Sequence, residues 1–140
     1  MDKIIGVTLT PLKRILNGKG DIFHGMKQSE ASFSGFGEVY FSTVIKDEIK
    51  AWKLHKKMVL NLIVPVGKVK FVIIDLAEEK KSFETILSQD NYQRLTIQPG
   101  LWFGFKGIGE GLNLVTNVAS IEHDPGEVER MELEEIDYEW

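Results

Sequence analysis

Short apolar runs, each closed by Gly, Pro, Asn or Asp, follow one another from residue 37 to residue 120. That rhythm leaves little room for anything but β-structure. GEVYFSTVI (Gly37–Ile45) is rich in β-branched and aromatic residues, and Ile49–Gly67 and Lys68–Leu76 follow it. Tyr92–Gly100, Leu101–Ile108 and Leu112–Ser120 complete the set. Ser82–Gln89 is the one stretch that reads as a short helix. Many strands at even spacing predict a closed barrel or a sandwich. Val66-Gly67-Lys68 allows a tight turn between two hydrophobic strands, because glycine tolerates positive φ. Pro99-Gly100 is a turn dipeptide leading into an aromatic strand.

The 140 residues are the size of one ordinary domain, and the whole chain, 1–140, is read as one. No cysteine is present, which excludes disulfides, thiolate metal sites and a cysteine nucleophile. No apolar run approaches a membrane span, and the first residues lack the features of a signal peptide. The chain is therefore expected to be soluble and cytoplasmic, with no membrane partner. A net charge of -4 argues against a nucleic-acid partner. The charge is uneven. Lys46, Lys50, Lys53, Lys56 and Lys57 cluster, and the segment from Glu127 onward is acidic. The basic cluster is either solvated surface or a face that concentrates an anionic ligand.

NGKGDIFHG, IKAWKLHKK, VGKVKFVIIDL, RLTIQPGLWFGF, HDPGE and the closing DYEW occur in that order. Together they resemble the dTDP-4-dehydrorhamnose 3,5-epimerases, and most closely the short sugar-epimerase and ketoisomerase branch related to them. The resemblance implies an all-β cupin (jelly-roll) barrel. It implies an epimerase or isomerase of a nucleotide-linked 4-keto-6-deoxy sugar in cell-surface polysaccharide biosynthesis. It also implies a homodimer paired through an N-terminal strand, for which Ile4–Leu12 is the candidate segment. No cofactor is implied, because the substrate's own ketone acidifies the proton to be removed.

In that family a strand histidine is the base, and the matching residue is His55. Imidazole titrates near neutrality, and a carbon acid beside a ketone needs a positioned base. The developing enolate oxygen needs a cation or a donor. The chain departs from the family pattern elsewhere. Trp52 stands in place of an arginine, Lys53 in place of a glycine and Phe103 in place of a second histidine. Leu60 and Asn61 fall where the family has a basic residue, and His123 aligns with its catalytic tyrosine.

Strand alternation puts Ala51, Lys53, His55 and Lys57 on one face and Trp52, Leu54 and Lys56 on the other. If the first face lines the barrel, His55 is the base; otherwise it is a structural histidine. Tyr40 and His123 are the candidate acids, each equally readable as a barrel aromatic and a turn residue. Lys53 and Lys57 are candidate substrate contacts or solvent-facing lysines. Glu38 shares the face of Tyr40. Trp102 is either a stacking platform or core, and Asn117 is a candidate substrate contact. The three histidines lack His-x-His spacing, so no metal site is expected. With so many family positions changed, a nucleotide-sugar-binding barrel without catalytic activity is the alternative reading.

Overall fold

Strands fill most of the chain. The computed structural model describes residues 2–77 and 79–140. In chain order the strands are β1 (Val7–Pro11), β2 (Arg14–Ile15), β3 (Ile22–Phe23), β4 (Glu38–Thr43), β5 (Ile49–His55) and β6 (Leu60–Val66). They continue as β7 (Lys68–Asp75), β8 (Lys81–Ser88), β9 (Gln93–Ile97), β10 (Trp102–Gly107), β11 (Leu114–Ala119) and β12 (Val128–Arg130). Single 3-10 turns occupy Pro125–Glu127 and Leu133–Glu135. Two five-stranded sheets form, ordered β1-β9-β6-β11-β4 and β12-β5-β10-β7-β8, with β2 and β3 as a separate ribbon. Neighbouring strands within both sheets are antiparallel. The sheets face each other as a cupin jelly roll.

The main core lies between the sheets. Leu62, Val64, Leu95, Ile97 and Val115 meet Val69, Phe71, Ile73, Leu87 and Phe103 there. A second apolar cluster sits on the outer face of the other sheet, where Trp52, Val72, Ile74 and Trp102 pack under Ile136, Tyr138 and Trp140. The strand VKFVII is therefore covered on both faces, which explains why it is continuously apolar rather than alternating.

Ser82–Gln89 is not helical. It forms β8, paired with β7 from Lys68↔Ser88 to Asp75↔Lys81. Phe83 and Leu87 sit at a spacing common to a helical stripe and to one face of a strand. The tertiary ladder to β7 decides between them, because it satisfies the backbone of β8 residue by residue.

The turn at Gly67 is as tight as its sequence implies, with φ 89°. It joins strands of different sheets, however, rather than forming a hairpin. The corner is stapled by Asn113, whose Oδ1 accepts from the Lys68 N–H at 2.9 Å and whose Nδ2 donates to the Val44 carbonyl at 3.0 Å. A Cβ on Gly67 would lie 2.3 Å from the Leu112 carbonyl oxygen. Gly67→Ala is expected to cost about 2 kcal/mol or more, from positive φ and clash together. Gly100→Ala, at φ 92° with open space around it, should cost only about 1 kcal/mol. Thermal unfolding of the pair checks the difference.

On the outer face of the first sheet the chain after β3 is riveted down by Arg94, which is fully buried. Its guanidinium donates to the Gly25 carbonyl, to Glu30 at 2.6 Å and to Ser32 Oγ at 2.7 Å. The N-terminal strand β1 pairs with β9 of its own sheet. No helix among the described residues is long and apolar enough to cross a membrane.

Candidate functional site

A cavity of about 500 Å³ opens between the sheets on the side where β4 and β5 lie. Tyr40, Ser42, Leu60, Leu62, Val115 and Asn117 line it from the first sheet. Lys50, Lys53, Phe103 and Phe105 line it from the second, and Arg130, Met131, Glu132 and Glu135 close one wall. The volume falls in the range of small-molecule sites.

Three cations converge on this space. Lys53 and Arg130 lie directly opposite each other in the β12–β5 register. Like charges placed so cost stability unless an anion joins them. Neither forms an ion pair among the described residues, whereas Lys46, Lys56 and Lys70 each have a carboxylate partner. Lys50 donates to the Thr43 carbonyl at 2.7 Å, spanning from β5 to β4. Burial pushes the Lys53 ammonium below its ordinary range, and the charges of Arg130 and Lys50 add to that push.

A β-bulge sets which residues reach the cavity. Phe103 pairs with Lys53 and Phe105 with Lys50, so Ala51 and Trp52 together oppose Gly104. The backbones approach closely there, since a Cβ on Gly104 would lie 2.5 Å from Ala51 Cβ. Lys53 lines the cavity and His55 stacks on the inner-face Phe103, while Leu54 packs on the outer cluster and Trp52 is buried in that cluster and also borders the cavity. Ala51, at the bulge, borders the cavity beside Lys53. It also touches the outer cluster, and the extra residue brings Lys50 to the cavity as well.

His55, 4% exposed, ends β5 beside Phe103, with ring centroids 6.0 Å apart and planes at 22°. Its Nδ1 meets Glu127 Oε2 at 2.5 Å. The other carboxylate oxygen, Oε1, accepts the backbone N–H groups of Lys57 at 3.0 Å and Met58 at 2.9 Å. Local chain geometry delivers Glu127. Asp124 caps the 3-10 turn by accepting from the Gly126 N–H, and Val128 then pairs with His55. Burial alone would raise the Glu127 carboxyl. The N–H groups of Met58 and Lys57 and the imidazole outweigh it and hold the group below the usual range. His55 is pushed down by burial, with the hydrogen bond and charge of Glu127 acting the other way. The pair at neutral pH is thus a carboxylate and a neutral imidazole protonated at Nδ1, leaving a lone pair on Nε2. That atom has no hydrogen-bond partner among the described residues. A carboxylate that fixes one tautomer and leaves the other ring nitrogen unprotonated is what a general base requires, and here that nitrogen is buried.

Tyr40 and Asn117 stand opposite each other on β4 and β11 and both line the cavity. Burial raises the Tyr40 hydroxyl above its ordinary range, although the bond from Asn117 opposes this. The remaining sequence candidates do not line the cavity, although the charges of Glu38 and His123 reach Tyr40 and His55. Trp102 is buried in the outer cluster. The Lys57 side chain is exposed, and only its backbone serves Glu127. His123 is exposed, with its N–H bonded to Glu38 Oε1 at 2.9 Å. Glu127 and Arg130 are not singled out by the sequence, and Lys50 is marked only as one of the basic cluster. Lys50 belonged to the basic cluster and Glu127 to HDPGE, but neither stretch shows what its residue faces.

No protein-family model matches the chain. The dTDP sugar isomerase of Desulfovibrio desulfuricans G20 superimposes with a TM-score of 0.88 and 36% identity, over 92% of this chain and 85% of that one. The chain belongs to the dTDP-sugar isomerase family. QdtA, a sugar 3,4-ketoisomerase from Thermoanaerobacterium thermosaccharolyticum solved with TDP, is 28% identical at a TM-score of 0.75, covering 92% of this chain and 90% of its own. The spore coat polysaccharide biosynthesis protein SpsL of Bacillus subtilis strain 168 is 24% identical over 98% of this chain and 96% of that protein. The dTDP-4-dehydrorhamnose 3,5-epimerases share the fold at lower identity. Within this family the chain pairs its strand histidine with Glu127 and stacks Phe103 against it.

Proposed function

We propose that this protein is an epimerase or ketoisomerase of a nucleotide-linked 4-keto-6-deoxy sugar, a dTDP-sugar first among them, in cell-surface polysaccharide biosynthesis. The observation that carries the reading is the His55–Glu127 pair, buried behind the cavity wall at the end of β5, two residues beyond the cavity-lining Lys53 and stacked on the cavity-lining Phe103. His55 removes the proton beside the ketone, and the electron pair passes to the ketone oxygen. Lys50, Lys53 and Arg130 supply positive charge, for the diphosphate at one end and the developing oxyanion at the other. Tyr40 is the candidate acid. No cofactor is needed, since the ketone itself acidifies the neighbouring C–H. The protein works in the cytoplasm as a homodimer, which light scattering after gel filtration checks.

The test is incubation with dTDP-4-keto-6-deoxyglucose in deuterated water, followed by NMR of the sugar. Deuterium at C3 or C5 is the expected result. One observation favours the second reading, a binding barrel without turnover: Nε2 of His55 is sealed from solvent. Stabilisation by dTDP with no deuterium uptake would establish that reading instead. Arg130→Gln is expected to weaken dTDP binding about 10-fold, the usual worth of one charge-assisted contact. Calorimetric titration at two salt concentrations measures it, and an unchanged affinity would remove Arg130 from the anion site.

A further inference from the structure

The hydroxyl of Tyr40 has an asymmetric environment. Asn117 Nδ2 donates to its oxygen at 3.0 Å. The phenolic hydrogen has only the Met58 thioether, a weak acceptor, at 3.8 Å. The orientation of the Asn117 amide is fixed independently. Its Oδ1 accepts the backbone N–H of Asn61 at 3.0 Å, and its Nδ2 also points at Met58 Sδ at 3.7 Å. Reversing the amide would set N–H against N–H, so the amide always presents a donor to Tyr40. Asn117 and Met58 are 2% and 0% exposed, so water does not compete for these positions. Met58 also ties this group to the base, since its N–H holds Glu127.

We infer that Asn117 is a positioning residue for proton delivery, filling the acceptor side of the Tyr40 hydroxyl so that its hydrogen is what the cavity receives. The inference rests on the isomerase reading above and changes the role of Asn117 from substrate contact to support of the acid. The proton balance closes. His55 Nε2 takes the proton from carbon, and the C–H electron pair moves to the ketone oxygen. The Tyr40 O–H bond then breaks as its proton joins the carbanionic carbon. Over the full turnover the phenolate regains one proton and the imidazolium gives one up, so no net proton is gained or lost. The Asn117 N–H stays bonded to the phenolate oxygen throughout, and bonds to charged acceptors are the stronger ones. Burial, which keeps Tyr40 protonated, suits a donor that must not ionise before substrate arrives.

The test uses Asn117→Asp, which keeps shape and the bond from Asn61 but offers Tyr40 an acceptor instead of a donor. With dTDP-4-keto-6-deoxyglucose, kcat is expected to fall about 100-fold, the usual share of general acid catalysis. KM should stay within about threefold. Deuterium should still enter recovered substrate, because His55 is untouched. Tyr40→Phe with Asn117→Asp should be no slower than Tyr40→Phe alone. If Asn117→Asp does not fold, Asn117→Ser, too short to reach Tyr40, is put through the same cycle. A rise in KM with kcat intact would make Asn117 a substrate ligand and overturn the inference. So would effects that multiply in the double variant. No deuterium uptake by the unaltered protein would overturn the isomerase reading itself, and this inference with it.

Discussion

His55→Asn is expected to lower proton exchange from a 4-keto sugar nucleotide by about 10³-fold, within the span that a positioned base contributes. The fold should survive, because Glu127 keeps the Lys57 and Met58 N–H groups as donors. Burial holds the folded-state pKa of His55 below the ordinary imidazole value of 6.5, so the ring is unprotonated at neutral pH. The rate should therefore hold as pH falls to about 6.5 and decline only below it. Glu127 is what pulls the imidazole back up. In Glu127→Gln that pull is gone, so the acid limb of kcat/KM should move to lower pH even as the rate drops. Stability runs in the same sense. For His55 depressed in the folded state, the unfolded chain binds the proton first, so stability falls as pH drops through 6.5. Glu127 is also depressed, so its contribution is present above the ordinary carboxylate value of 4.5 and lost as pH falls through the lower folded value. An acid limb that rises in Glu127→Gln would show that the carboxylate does not act through His55.

Trp52→Ala should be the most damaging single truncation on the outer side of the barrel. Trp52 is 2% exposed. Its ring lies 5.3 Å from that of Trp140 and 6.4 Å from that of Tyr138, and its Nε1 donates to the Leu133 carbonyl at 3.1 Å. Its backbone exchanges hydrogen bonds with Met131 in both directions. Truncating a buried tryptophan costs about 3–5 kcal/mol, a large part of the 5–15 kcal/mol that holds a domain folded. Urea unfolding measures it. Proteolysis distinguishes the cause. The segment from Met131 onward should be cut first in Trp52→Ala, whereas Phe71→Ala, equally buried but between the sheets, should leave that segment protected. Because Met131, Glu132 and Glu135 wall the cavity, dTDP binding should weaken in Trp52→Ala as well. A stability loss below about 1 kcal/mol would mean the C-terminal segment is held from elsewhere.

The legible part of this protein was whatever a few neighbouring residues decide. Alternating and β-branched runs specified strands, and Gly67 and Pro99-Gly100 specified where the chain reverses, because side-chain period and positive φ are local properties. The order of short motifs carried the barrel and the family, and it singled out His55. The tertiary structure alone decided the partners. Ser82–Gln89 became a strand because β7 offered it a ladder, although the spacing of Phe83 and Leu87 suits either form. Gly67 turned between sheets rather than within one, since pairing is set by the whole core. Trp52 and Trp102 went outward under a segment that lies far along the chain. Glu127, 72 residues from His55, became its carboxylate because β12 pairs with β5, and Arg130 met Lys53 for the same reason. A sequence records which residues carry chemistry, but a charge or a hydrogen bond acts through space over a few ångströms. Only the folded pairing of distant strands determines which of them come within that range.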